Sequence, residues 1–171
     1  KEAFELVQLA ERRLTEFDWQ MSRTDLRVAR QTLDTVSSMF REAEQYDSKW
    51  AEPIIGQGKL ATRRMQLAAS EHPGDRQMQL GPLRQGVADA NRAAKVAPGN
   101  PQAFLLRGTL RFHIANIDTT GAGKLRDSAY NDLQGALDRN PNYTQALVSM
   151  SQLAAASDNL GEALDYADRA Y

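Results

Sequence analysis

The sequence predicts an all-α protein assembled from about four antiparallel helix pairs, and three observations predict it. Aromatic residues make up only 7% of the chain while alanine is abundant. That composition suits closely stacked helices better than strands, which favour β-branched and aromatic side chains. Small and apolar residues recur at i, i+4 and i+7 in Ala129, Leu133 and Ala136, and again in Ala163, Ala167 and Ala170, the inner stripe of a helix. The two stripes stand thirty-four residues apart, with a turn at Pro141-Asn142 and a second apolar run, Ala146, Leu147, Met150, Leu153 and Ala154, between them.

From the start of the chain, Phe4, Val7, Leu9, Ala10, Leu14 and Phe17 trace a helix over 3–20. Ser22, Thr24 and Asp25 offer capping oxygens for a second helix reaching Tyr46, with Val28, Ala29, Leu33, Val36, Phe40 and Ala43 on one side. A third begins at Trp50, tolerates Pro53 in its first turn, and runs to about Ser70 before Glu71-His72-Pro73-Gly74-Asp75 breaks it. Pro82 is expected to open its partner helix, which carries Gly86, Ala90 and Ala93. Asn100-Pro101 caps and starts the next helix. From Gly108 to Ala129 there are twenty-one residues where the last pair, Ser151 to Ala163, has twelve, and the extra nine are expected in a glycine-bearing loop around Ile117 to Gly123.

These spacings resemble the tetratricopeptide repeat (TPR), whose period is thirty-four residues. With Pro141 at the proline position of the repeat, Ala129, Leu133 and Ala136 fall on its small, apolar and small sites. Ser151, Ala163 and Ala170 repeat the match, and Gly108 and Gly58 occupy the small site of the preceding first helices. Val36, Phe40 and Ala43 match with Ser48 in place of proline. The resemblance implies a right-handed α-solenoid in one repeat domain, with pairs at 1–48, 51–98, 101–141 and 144–171. The chain begins at Lys1 rather than Met and stops at Tyr171 within the pattern, so a fragment of a longer protein is expected.

Composition narrows the function classes. A net charge of −1 with 25% charged residues gives no basic field of the kind that drives nucleic-acid binding. No cysteine is present, which removes disulfides, thiolate metal sites and cysteine nucleophiles and is compatible with either redox compartment. No apolar run approaches a membrane span and the amino end lacks a signal-peptide pattern, so direct membrane insertion is not expected. A cytoplasmic location is favoured, with the extracytoplasmic part of a membrane-anchored protein as the other option.

Catalytic chemistry finds no support. Gly121-Ala122-Gly123-Lys124 looks like part of a phosphate loop, yet the earlier glycine, the following Ser or Thr and the preceding strand are all missing. His72 and His113, the two histidines, have no second ligand at helical spacing, so neither a metal nor a cofactor is expected. Glu42 and Glu44 read as the solvated side of a helix. Lys59, Arg63 and Arg64 sit in a stretch, 51–100, that holds seven Lys or Arg against four Asp or Glu. A solvated face explains that excess, and an acidic-ligand contact is the alternative.

The resemblance implies a non-enzymatic binding module that presents a concave groove to a protein or peptide segment. Its ligand-facing positions carry over to Glu52, Ile55, Lys59 and Thr62, then Gln102, Leu105, Thr109 and Phe112, then Gln145, Val148, Gln152 and Ala155. Of these, Ile55, Lys59, Thr62, Leu105, Thr109, Phe112, Val148 and Gln152 form the expected site. Phe112, Leu105, Ile55 and Val148 are expected to supply apolar anchorage, and Lys59 a preference for acidic segments. The clamp that binds chaperone tails is absent, because Ile55, Lys59, Leu106, Gln145 and Ser149 stand where it needs Lys, Asn, Asn, Lys and Arg. Two alternatives remain open. Asp47 to Ile55 is similar to the TPR arrays that follow bacterial serine/threonine kinase domains, which implies a regulatory segment, and the uncovered Leu164 and Ala167 suggest self-association through the carboxyl-terminal end.

Overall fold

The computed structural model describes residues 2–20 and 25–171, and of residues 18–20 the backbone only. Among them the chain forms eight helices and no strand: α1 Glu2–Gln20, α2 Leu26–Tyr46, α3 Ala51–Glu71, α4 Arg76–Val96, α5 Pro101–Ile117, α6 Ala122–Arg139, α7 Thr144–Ala155 and α8 Leu160–Ala170. Short polar residues set the starts. Asp25, Asp75 and Asn100 each accept from the N–H two residues on, at 2.8, 3.0 and 2.9 Å, satisfying donors that a first helical turn leaves without partners. Of the residues expected to cap α2, Asp25 does so, while Ser22 and Thr24 lie outside the described residues. Pro98-Gly99 and Pro141-Asn142 sit in turns closed by the Asn100 N–H on the Ala97 carbonyl at 3.0 Å and the Tyr143 N–H on the Asn140 carbonyl at 3.1 Å.

Two expectations are corrected. Pro82 does not open α4, which begins six residues earlier at Arg76. The Asp75 carboxylate accepts from both Gln77 and Met78 N–H and fixes the start there. Pro82 removes one helical hydrogen bond, from the Met78 carbonyl, in an exposed turn where water can replace the donor. The nine extra residues of the third pair are not a loop either. Its connection, 118–121, is as short as 156–159 in the last pair, and the surplus lengthens α5 by five residues beyond Gly108 and α6 by four before Ala129. Ala122, Gly123 and Lys124 are therefore the first turn of α6, and only Gly121, at φ +75°, takes the left-handed conformation that glycine allows.

The helices stack as consecutive pairs, giving an α-solenoid of TPR type. α1 packs on α3, α3 on α5 and α5 on α7, whereas among the described residues the backbones of α2, α4, α6 and α8 stay apart and these helices meet through side chains such as Arg92 with Glu44 and Tyr130 with Glu162. The odd helices thus crowd one side of the array and the even ones splay apart on the other, which makes the odd helices the inner wall. Apolar stripes hold the stack. Leu14 and Phe17 of α1, Leu33, Val36 and Phe40 of α2, and Leu60 of α3 form one cluster, and each large side chain buried this way contributes about 1.5–3 kcal/mol. Phe40 lies against Gly56, where any Cβ would collide with the ring. The predicted stripe of Ala129, Leu133 and Ala136 packs on Ala146, Leu147 and Met150 of α7, with Tyr166 of α8 beyond. A clasp joins α5 to α6. The Arg139 guanidinium lies 3.7 Å from the Phe104 ring centre and donates to the Pro98 carbonyl at 2.7 Å and the Gly135 carbonyl at 2.6 Å.

Candidate functional site

A cavity of about 300 Å³ opens on the inner wall between α3, α5 and α7. Three successive first helices supply it because residues seven or so apart on each fall on the same face. From α3 come Ile55, Lys59 and Thr62; from α5, Gln102, Leu105 and Thr109; from α7, Gln145. All seven are among the positions that the sequence placed in the groove. Ile55 is only 1% exposed and forms the floor. Leu105 and Thr109 are half-buried in the wall.

The remaining expected residues are not brought together there. Phe112 is half-buried against the carboxyl-terminal core of α6 and α7 and does not line the cavity. Val148 and Gln152 are exposed on α7 outside the cavity, as Glu52 is on α3 and Ala155 at the end of α7.

Other lining residues were not legible as such. Tyr143 precedes α7 and reaches the cavity beside Ser149. Burial pushes its phenol above the usual range, partly opposed by a hydrogen bond with Gln102. Arg63 joins Lys59 on the α3 wall, donating to the Lys59 carbonyl at 3.1 Å. The described lining thus holds two cations and no carboxylate over an apolar floor. Lys59 is nevertheless paired: its ammonium lies 2.9 Å from the Glu11 carboxylate of α1, both side chains keeping over a third of their surface in solvent. Opposite charges on successive first helices were the signal for that pair.

A second pattern also escaped the sequence reading. Asp89 and Asp132 stand three residues after Gly86 and Ala129, the same repeat position, and both are buried. Asp132 accepts from Arg107 Nε at 2.8 Å and Arg111 Nη1 at 2.6 Å, while Arg107 Nη1 donates to Asn91 at 2.9 Å, tying α4, α5 and α6 together. Asp89 faces the smaller Gln57 and Ala61 instead and takes its cation from Arg92, 3.0 Å away on the same helix. Arg92 also reaches Glu44 of α2 at 2.6 Å, so Glu44 belongs to an ion-pair network rather than a merely solvated face. A smaller cavity of about 190 Å³ remains beside this network on the outer side. Its two carboxylates are both engaged by Arg92, whereas the inner cavity combines apolar floor and cationic wall.

Among the described residues no group of three His, Cys, Asp or Glu side chains converges as a metal site would require, and no helix is long and apolar enough to cross a membrane. His72 is exposed in the turn after α3, and burial lowers the affinity of His113 for a proton. Asp47 to Trp50 form the turn into α3, with the Lys49 N–H on the Asp47 carboxylate at 2.9 Å, and residues 51–55 are that helix's first turn. That stretch is the turn between α2 and α3 and the start of α3, whose N-cap Trp50 makes no side-chain cap bond. Lys59 and Arg64 of the basic excess are paired with Glu11 and Asp34.

Stacked helix pairs around an inner cavity define the class of fold, a TPR-like helical repeat. No family model matches the chain, and no curated protein matches it. Among solved structures it is similar to a thermophilic TPR protein of Thermus thermophilus, at 16% identity and a TM-score of 0.49 over 98% of this chain and 89% of that one. It is also similar to MamA of Desulfovibrio magneticus, at 11% identity and 0.43 over 94% and 92%. YrrB, described as a TPR protein with an unusual peptide-binding site, shares 14% identity and a TM-score of 0.43 over 99% and 91%. At such identities side chains do not correspond one to one, and the site is defined by this chain's own residues.

Proposed function

We propose that the protein is a non-enzymatic binding module that receives an apolar, acid-bearing peptide segment in the cavity between α3, α5 and α7. The observation that carries this reading is the cavity itself: side chains from three successive first helices meet over an apolar floor of Ile55 and Leu105, with Lys59 and Arg63 on one wall. An apolar side chain of the segment seats on the floor, and a neighbouring carboxylate meets the cationic wall. Buried apolar anchors of this kind carry most of the binding energy, so Leu105→Ala should weaken the complex by about 2 kcal/mol. Lys59→Glu should act more on association rate and its salt dependence. Peptides selected from a display library, with resonances followed by NMR, provide the test. Shifts confined to the outer helices α2, α4 and α6, or an unchanged affinity of Leu105→Ala, would place the ligand elsewhere.

Self-association through α8 is a second reading, favoured by Leu160 and Leu164, which are 68% and 65% exposed on one helix. Sedimentation at rising concentration is expected to show reversible dimers that Leu164→Glu abolishes; a wild-type chain that stays monomeric removes this reading.

A further inference from the structure

Lys59 is one of the two cations on the cavity wall, and α1 has already given it a carboxylate. The Glu11 to Lys59 distance is 2.9 Å, Lys59 lines the cavity and Glu11 does not. The pair is not what docks α1. Val7, Ala10, Leu14 and Phe17 bury that helix against α2 and α3, each large side chain contributing about 1.5–3 kcal/mol. A half-exposed ion pair adds about 0–1 kcal/mol. The Glu11 side chain, 39% exposed, can therefore turn into water without undocking its helix. We propose that Glu11 is an internal competitor that sets the charge specificity of the groove: it occupies Lys59 as a ligand carboxylate would, and an acidic segment binds by exchange with it. The inference rests on the peptide-binding reading of the same cavity and adds the residue that tunes it.

Competition has a consequence that a fixed structural tie lacks. Neutral apolar segments leave the pair intact and are indifferent to Glu11, whereas acidic ones that engage Lys59 displace it. The test is to pan a random decapeptide library against the wild-type protein and against Glu11→Gln, then measure each selected peptide against both proteins, against Lys59→Gln and against the double variant. Peptides selected by Glu11→Gln are expected to be richer in Asp and Glu and to bind that variant roughly fivefold more tightly than wild type, the upper range for a half-exposed pair. The difference should vanish in the Lys59→Gln background. Glu16→Gln, which removes the same charge elsewhere on α1, should leave affinities at the wild-type value. Equal affinity of wild type and Glu11→Gln for acidic peptides that shift Leu105 and Thr109 resonances overturns the competitor role and leaves the groove standing. Failure of every selected peptide to shift those resonances overturns the groove reading and this inference with it. An effect that persists without Lys59, or that Glu16→Gln reproduces, shows a general field effect and overturns the exchange.

Discussion

Asp132→Ala is expected to lower stability by about 3 kcal/mol, the low end of what removing one partner of a buried ion pair costs. Asp132 is 4% exposed and neutralises both Arg107 and Arg111. Without it two guanidiniums face each other, and Arg107 keeps the Asn91 acceptor and the Phe104 ring, whose centre is 5.2 Å away. Their side chains keep 20% and 27% of their surface in solvent, which limits the penalty to the lower part of the range. Asp89→Ala should cost less, under about 1.5 kcal/mol, because Arg92 is half-exposed and keeps Glu44. Urea denaturation of the two variants side by side reads the difference. Equal losses would mean that the two positions, alike in the repeat, are alike in energy as well, contrary to their surroundings.

Gly86→Val is expected to cost about 3 kcal/mol through overpacking. A Cβ at Gly86 meets the Ala61 Cβ, Leu110 Cδ1 at 2.9 Å and the Gly58 carbonyl at 3.2 Å, so backbone as well as side chains would have to move. Even Gly86→Ala should lose stability, since the helix-propensity gain of roughly 1 kcal/mol is smaller than separating α3 from α4. Gly123→Ala on α6 is the control. Nothing lies within 4 Å of its Cβ position, and it should gain up to about 1 kcal/mol. Thermal melts that rise for both alanine variants would show that α3 and α4 are not held at the Gly58 to Gly86 approach.

Local signals placed the helices well where the residues act through their own backbone. Asp25 and Asn100 start helices because their side chains bond N–H groups two residues away, and the Pro141 turn ends one for equally local reasons. Pro82 misled because a proline within a helix and a proline at its start have the same local preference for φ, and the Asp75 cap decided between them. The surplus in the third pair was visible as a count, but not whether it made loop or helix. That depended on α5 and α6 having each other to pack against along their added turns.

The sequence by itself determined the all-α class, the helix order, the small residues at the close approaches and the shared face of seven residues that line the inner cavity, because periodicity of 3.6 assigns a face to every residue of a helix. Tertiary structure alone decided what each face meets. Phe112 packs on the core and not in the cavity, Glu11 reaches from α1 to Lys59, and Asp89 and Asp132 have different cations at one repeat position. Each outcome depends on separations between chain segments far apart in sequence, which no local spacing encodes.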